Sequence, residues 1–200
     1  MLVLLALPAV WLLKGNSKAQ AAQAATLSGL KPLSAGQAIG LALATPSYRY
    51  LSLGFLVCGF HVAFLATHVP GVVAACGLPP AIGGWALAMI GLFNIIGSLG
   101  VGWAVGRWRM KSLLALVYAT RGAAVLVFLL APKTPAVMLI FAAVMGVTFL
   151  STVPPTVGLV AKMFGTANMA MLFGVVMLAH QIDGFFGAFL GGHVPGGRQL

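Results

Sequence analysis

An uncharged run of 25 residues, at positions 81–105, constrains this chain more than any other feature of its sequence. An α-helix rises about 1.5 Å per residue, so roughly 20 apolar residues cross a bilayer core of about 30 Å. The run is therefore long enough to span a membrane. Arg107, Arg109 and Lys111 follow it directly, and a dense basic loop is typical of the cytoplasmic side. Together they predict a membrane span whose carboxyl end is cytoplasmic.

The composition of the whole chain agrees with a membrane location. Hydrophobic residues make up 61% of the sequence and charged residues only 6%. A soluble domain has about a quarter charged residues, so this chain could not cover a water-facing surface. We predict an all-α polytopic membrane protein. Its net charge is +10, and we expect the cations to lie in short loops, where they meet lipid headgroups. The expected partner is therefore a lipid bilayer and not a nucleic acid. Cys58 and Cys76 are interpreted as small apolar fillers.

The amino-terminal part of the sequence divides into two segments. Residues 1–13 are apolar but too short to cross a bilayer comfortably. Lys14 and Lys18 follow this run rather than precede it, which is unlike a signal peptide, so we interpret it as the end of a transmembrane span. Residues 14–44 contain three lysines and no acid. They are predicted to form a cytoplasmic linker with a short surface helix around residues 37–43.

The region 45–192 is predicted to form a bundle of five spans, followed by a short tail at 193–200. Thr45-Pro46 indicates the start of the first span, because a capping hydroxyl precedes a proline at the first helical position. Pro154-Pro155 predicts a kinked or broken fourth span, because two prolines remove backbone donors. The predicted spans cover residues 45–70, 81–105, 112–131, 135–161 and 169–192. In the second of these, small residues recur every four positions and predict close helix packing: Ser98, Gly102 and Gly106.

The distribution of cations between loops predicts the orientation of the bundle. Eight cations fall in loops assigned to the cytoplasm, and two, Lys133 and Arg198, fall in outer loops. This bias follows the rule that short cytoplasmic loops are rich in lysine and arginine. The cytoplasmic cations are Lys14, Lys18, Lys31, Arg49, Arg107, Arg109, Lys111 and Lys162.

The basic loop resembles a known family signature. Residues 102–111 read Gly-Trp-Ala-Val-Gly-Arg-Trp-Arg-Met-Lys, and this is similar to the Gly-x-x-x-Asp-Arg-x-Gly-Arg-Lys loop of the major facilitator superfamily. The matching residues are Gly102, Arg107 and Lys111. The sequence at 59–70 and 91–94 looks like that of bacterial members related to monocarboxylate and oxalate/formate porters. The order of a half-span, a basic linker and short-looped spans is similar to the end of span six through span eleven of a twelve-span transporter.

This resemblance implies half of a major facilitator bundle in a bacterial inner membrane. It implies secondary active transport of a small solute by alternating access, with a substrate and in some cases protons as partners. The amino-terminal half of the transporter would be a further partner, and we expect that these 200 residues alone do not transport. Organic acid anions are one candidate substrate class, although residues 81–105 and 169–192 contain no lysine or arginine that could bind a carboxylate.

Two ionisable residues in the last span are candidates for ion coupling. Asp183 is the only acid in the chain, and it lies inside a predicted span. A charge in that position costs about 3 kcal/mol or more, so such a residue is by default functional. Asp183 is expected either to carry protons or to form an ion pair with Arg121. His180 lies three residues earlier on the same helix face and could pass a proton with it. Two ligands alone make a poor metal site.

Three polar residues in other spans complete the candidate set. Arg121 lies ten residues beyond Lys111, roughly 15 Å into the membrane, and could contact substrate or pair with an acid. His61 and Asn94 lie near the middles of their spans, and each could contact substrate or a neighbouring helix. A second function stays open, in which His61 and His180 ligate a haem in a membrane redox protein. For the transporter we expect no cofactor, metal or enzymatic activity, since paired carboxylates and a phosphate loop are missing from the sequence.

Overall fold

A computed structural model describes residues 33–193, and in this range the chain is all helical, without a strand. Five helical segments are long and apolar enough to cross a membrane, and one of them consists of two helices in succession, Pro135–Phe164. The chain is therefore an all-α polytopic membrane protein. The helices, in chain order, are α1 (Ala35–Ala44), α2 (Pro46–Ala75), α3 (Pro80–Val105), α4 (Met110–Leu130), α5 (Pro135–Thr148), α6 (Val153–Phe164) and α7 (Thr166–His193). The predictions for residues 1–13, for most of the linker at 14–44 and for the tail beyond residue 193 lie outside the described residues.

The predicted helix boundaries agree closely with the structure, with two differences at α2. Helix α2 begins at Pro46 after Thr45, as predicted, but the Thr45 hydroxyl does not cap it. That hydroxyl donates to the Leu41 carbonyl at 2.9 Å and so joins α2 to the end of α1. The predicted end at Pro70 is wrong, because α2 continues to Ala75 with this proline in its interior. Gly83 of α3 packs against Pro70, at the point where the proline removes one backbone hydrogen bond from α2.

The buried core consists of two apolar clusters with a polar layer between them. One cluster joins α1, the first part of α2, α6 and the first part of α7, and it includes Phe55, Val160 and Val176. The other joins the second part of α2 with α3 and α5, and it includes Leu65 and Met145. Four of the buried polar residues, Thr148, Ser151, Thr152 and Thr156, lie along the chain between Met145 of one cluster and Val160 of the other; the remaining two are Arg121 and His180. Polar side chains therefore meet in the middle of the bundle.

Glycines bring α2 and α7 into backbone contact. A β-carbon on Gly59 would collide with the backbone of His180, and one on Gly187 would collide with the backbone of Phe60. Helices in lipid associate through close packing rather than through hydrophobic burial, so small residues mark their tightest interfaces. Both positions therefore require glycine.

The close packing of α3 runs through a different stripe from the predicted one. Gly97 lies against the backbone of Val147 in α5, and Gly146 lies against that of Ile90 in α3. A β-carbon on Gly102 would meet no atom of another helix within 4 Å. The predicted close contact is therefore wrong at Gly102 and Gly106, because α3 turns the neighbouring helix face toward α5.

Candidate functional site

The fourth membrane span is broken in its middle. Helix α5 ends at Thr148 and α6 begins at Val153, so four residues, 149–152, separate them. A proline lacks a backbone N–H, and its ring clashes with the carbonyl four residues earlier. Pro154 and Pro155 in the first turn of α6 therefore prevent a continuous helix through this point. The predicted kink or break at the paired prolines is confirmed.

Arg121 of α4 binds the carbonyl groups that the break leaves open. In a continuous helix the carbonyls of Thr148 and Phe149 would accept from the N–H groups four residues later. Here the N–H of Val153 bonds instead to the carbonyl of Leu150, at 3.0 Å. The Nη2 atom of Arg121 donates to the Thr148 carbonyl and, at 3.0 Å, to the Phe149 carbonyl. The guanidinium also lies at the carboxyl end of α5, where the helix dipole is negative and favours a cation.

Asn94 of α3 binds the amide side of the same break. Its Oδ1 atom accepts from the N–H of Leu150 at 3.1 Å and from the hydroxyl of Ser98 at 3.2 Å. Asn94 thus contacts a neighbouring span, which is one of the two roles expected for it. Two polar side chains from separate helices thus satisfy backbone groups that would otherwise be unpaired inside a membrane, where each would be costly.

A thiol completes the surroundings of the guanidinium. Arg121 is only 4% exposed, and its Nη1 atom donates to the Cys58 sulfur at 2.9 Å. The same sulfur lies 3.7 Å from the Thr152 hydroxyl. The Arg121 Nε atom is buried and has no hydrogen-bond partner among the described residues. The interpretation of Cys58 as an apolar filler is therefore wrong, because it lies on the face of α2 that meets the break. Cys76 is half-buried at the end of α2.

The two candidate histidines occupy different surroundings. His180 is buried beside the Cys58 thiol, with its ring 4.9 Å from that of Phe55. Its Nδ1 atom lies 3.2 Å from Oε1 of Gln181. His61 is half-buried one turn beyond Cys58 on α2. Because the backbones of α2 and α7 touch at the level of His180, no space for a porphyrin exists between them there. We therefore do not propose haem ligation.

Asp183 does not pair with Arg121. It is half-buried on α7, and between residues 33 and 193 no hydrogen bond or ion pair engages its carboxylate. The expected ion pair is wrong, because one terminal nitrogen of Arg121 binds carbonyls of the broken span and the other binds the Cys58 sulfur of α2. Asp183 lies at the edge of the α7 stripe that faces α2, since it follows His180 by three residues and precedes Gly187 by four.

The residues of the basic loop, 102–111, lie at the junction of α3 and α4. Gly102 is in the last turn of α3, and Arg107 stacks over the ring of Trp103, 4.0 Å from its centroid. Arg109 precedes the first residue of α4, and Lys111 is in its first turn. This junction is separate from the break. The residues that the sequence interpretation missed at the break are Cys58, Thr148, Ser151 and Thr152. The hydroxyl-rich segment immediately before two prolines was the available signal for three of them.

These features define a class, a polytopic α-helical membrane protein with one broken span around a buried arginine. Among the described residues no group of three or more histidine, cysteine or acidic side chains is arranged to hold a metal ion. Comparison with protein-family models and with curated proteins finds no match for the chain.

Proposed function

We propose that the chain is part of a secondary active transporter, which moves a small solute across a membrane by alternating access. The observation that carries this proposal is the broken span at a buried polar layer. Non-helical backbone inside a membrane is tolerated only where protein buries it or where it lines a water-filled cavity. Secondary transporters build substrate and ion sites from such discontinuous helices near the midplane. A buried arginine and two helix-breaking prolines each lower the stability of the bundle. A bundle with only a structural role would gain nothing from them.

The arrangement of spans and loops also supports this proposal. Five spans follow a basic segment, and the loop between α3 and α4 resembles a major facilitator signature. On this basis we propose that the bundle is one half of a major facilitator transporter in a bacterial inner membrane. The other half would supply the opposite wall of the pathway. Organic acid anions are the first substrate class to test, because the resemblance extends to monocarboxylate and oxalate/formate porters.

The contacts of the candidate residues suggest separate roles in transport. Arg121 and Asn94 are engaged by the backbone of the broken span, so we assign them to positioning rather than to substrate binding. Asp183 and His61 are half-buried and are the candidates for ion coupling and substrate contact. His180, three residues from Asp183 on the same side of α7, would pass a proton between the Asp183 carboxylate and the other buried polar residues.

Uptake into proteoliposomes tests the proposal. The chain would be expressed together with the coding sequence that adjoins it, and labelled organic acids, amino acids and sugars would be offered under an imposed proton gradient. We expect accumulation of at least one solute class. Asp183→Asn should abolish accumulation driven by the gradient, while Asn168→Ala, on the same helix near its other end, should retain it. Folded protein that neither accumulates nor exchanges any solute would contradict the proposal, and full activity of Asp183→Asn would contradict the coupling role.

A further inference from the structure

A cleft opens between α2, α4 and α6 at the end of the bundle that carries the basic loop. It consists of a cavity of about 410 Å³ beside the loop and a second cavity of about 380 Å³ that extends along the helices. The two share Ser47, Lys111, Leu159 and Met163, so they form one continuous cleft. By the cation bias of the loops, this end of the bundle lies at the cytoplasmic surface of the membrane.

The outer cavity is strongly cationic. Arg109, Lys111 and Lys162 all line it and are exposed. Within the described part of the chain, none of the three donates a hydrogen bond to protein or pairs with an acid. The single acid of the sequence, Asp183, is seventeen residues beyond the start of α7, roughly 25 Å along that helix. Among the described residues, no side-chain carboxylate can therefore neutralise the three cations.

The inner cavity is largely apolar. Its walls include Leu51 of α2, Leu114 and Ala115 of α4, and Leu159 of α6. Tyr118 lies at its deep end, with a hydroxyl that is buried and has no hydrogen-bond partner among the described residues. Trp108 lines the outer cavity and is 61% exposed, as expected of a tryptophan at the headgroup level of a bilayer. The cleft thus combines a cationic mouth at the membrane surface with an apolar groove toward its interior.

We propose that this cleft binds one anionic phospholipid from the cytoplasmic leaflet. The headgroup phosphate lies among Arg109, Lys111 and Lys162, and one acyl chain lies in the groove lined by Leu51 and Leu114. A phosphate relieves the repulsion between the three cations, and basic pockets between helices on the cytoplasmic side are suited to such headgroups. A free anion would leave the apolar groove unfilled, whereas a lipid fills both parts. The site is separate from the break at residues 149–152, none of which lines the cleft, and it does not depend on the transport proposal.

Lipid retention in native mass spectrometry of the purified chain tests this site. We expect phosphatidylglycerol to be retained in preference to phosphatidylcholine of the same acyl chains. Since each cation near an anionic surface contributes about 1 kcal/mol, or roughly fivefold in affinity, Lys111→Gln/Lys162→Gln should weaken phosphatidylglycerol binding roughly 25-fold. Lys133→Gln, which removes a lysine just beyond the opposite end of α4, is the control and should leave binding unchanged.

Two further measurements distinguish a lipid site from a site for a free anion. Ala115→Trp should fill the groove and reduce lipid retention while all three cations remain, and far-ultraviolet circular dichroism checks that the variant is folded. Inorganic phosphate at millimolar concentration should not displace the lipid. Equal loss in the Lys133→Gln control, displacement by phosphate, or unchanged retention in the double lysine variant would each overturn the proposal.

Discussion

Replacement of Arg121 by leucine should destabilise the bundle through the broken span. The change strands the carbonyls of Thr148 and Phe149, which Arg121 now binds. An unsatisfied buried acceptor costs about 1–3 kcal/mol, so two cost roughly 2–6 kcal/mol. An apolar side chain recovers part of the desolvation cost of the guanidinium, and the bond to Cys58 adds less than about 1 kcal/mol. We therefore expect Arg121→Leu to lower the free energy of unfolding by about 2–4 kcal/mol.

Removal of the prolines should rescue this variant. In Pro154→Ala/Pro155→Ala the helix can continue, and the N–H groups of residues 152 and 153 can bond to the carbonyls of Thr148 and Phe149. Arg121→Leu should then cost less than about 1 kcal/mol in that background, because the carbonyls no longer need the guanidinium. Pro70→Ala, which removes a proline from α2 instead, is the matched control and should give no rescue.

Reversible unfolding in mixed micelles, followed by circular dichroism, measures these free energies. The decisive quantity is the coupling energy between Arg121→Leu and the double proline replacement, expected at about 1–3 kcal/mol in the direction of rescue. The same cost of Arg121→Leu with and without the prolines would refute the reasoning. Rescue by Pro70→Ala of similar size would also refute it, because that proline lies in another helix.

Three further predictions concern charge pairing, helix packing and orientation. Arg121→Leu and Asp183→Asn should be additive within about 0.5 kcal/mol in unfolding measurements, since the two side chains share no contact; a coupling energy above about 1 kcal/mol would reinstate an ion pair. Gly59→Val should lower the free energy of unfolding by about 3 kcal/mol or more, because its side chain would force α2 away from α7. If valine at a lipid-facing glycine of α7 lowered the free energy of unfolding by more than Gly59→Val does, the close packing of α2 and α7 would be contradicted. In a background without the native cysteines, an impermeant thiol reagent added outside should label Leu78→Cys but not Ser28→Cys; the opposite pattern would reverse the orientation.

The sequence by itself determined the number of spans in the described region, their approximate ends and the break in the fourth. These properties belong to single segments. Whether a run is long and apolar enough to cross a bilayer depends on its own residues and on the thickness of the lipid core. The break at Pro154 likewise depends on local backbone chemistry, and the start of α2 at Pro46 on the fixed backbone of proline.

Only the tertiary structure decided which groups meet in the middle of the bundle. Asp183 was the obvious partner for Arg121 in sequence, because opposite charges in a membrane tend to pair. Backbone carbonyls, which every residue carries, became the partners instead. Likewise Gly97, not Gly102, contacts α5. Both outcomes depend on the rotation of each helix about its axis and on its depth relative to its neighbours. Packing between helices sets these quantities, and a pattern within one span does not contain them.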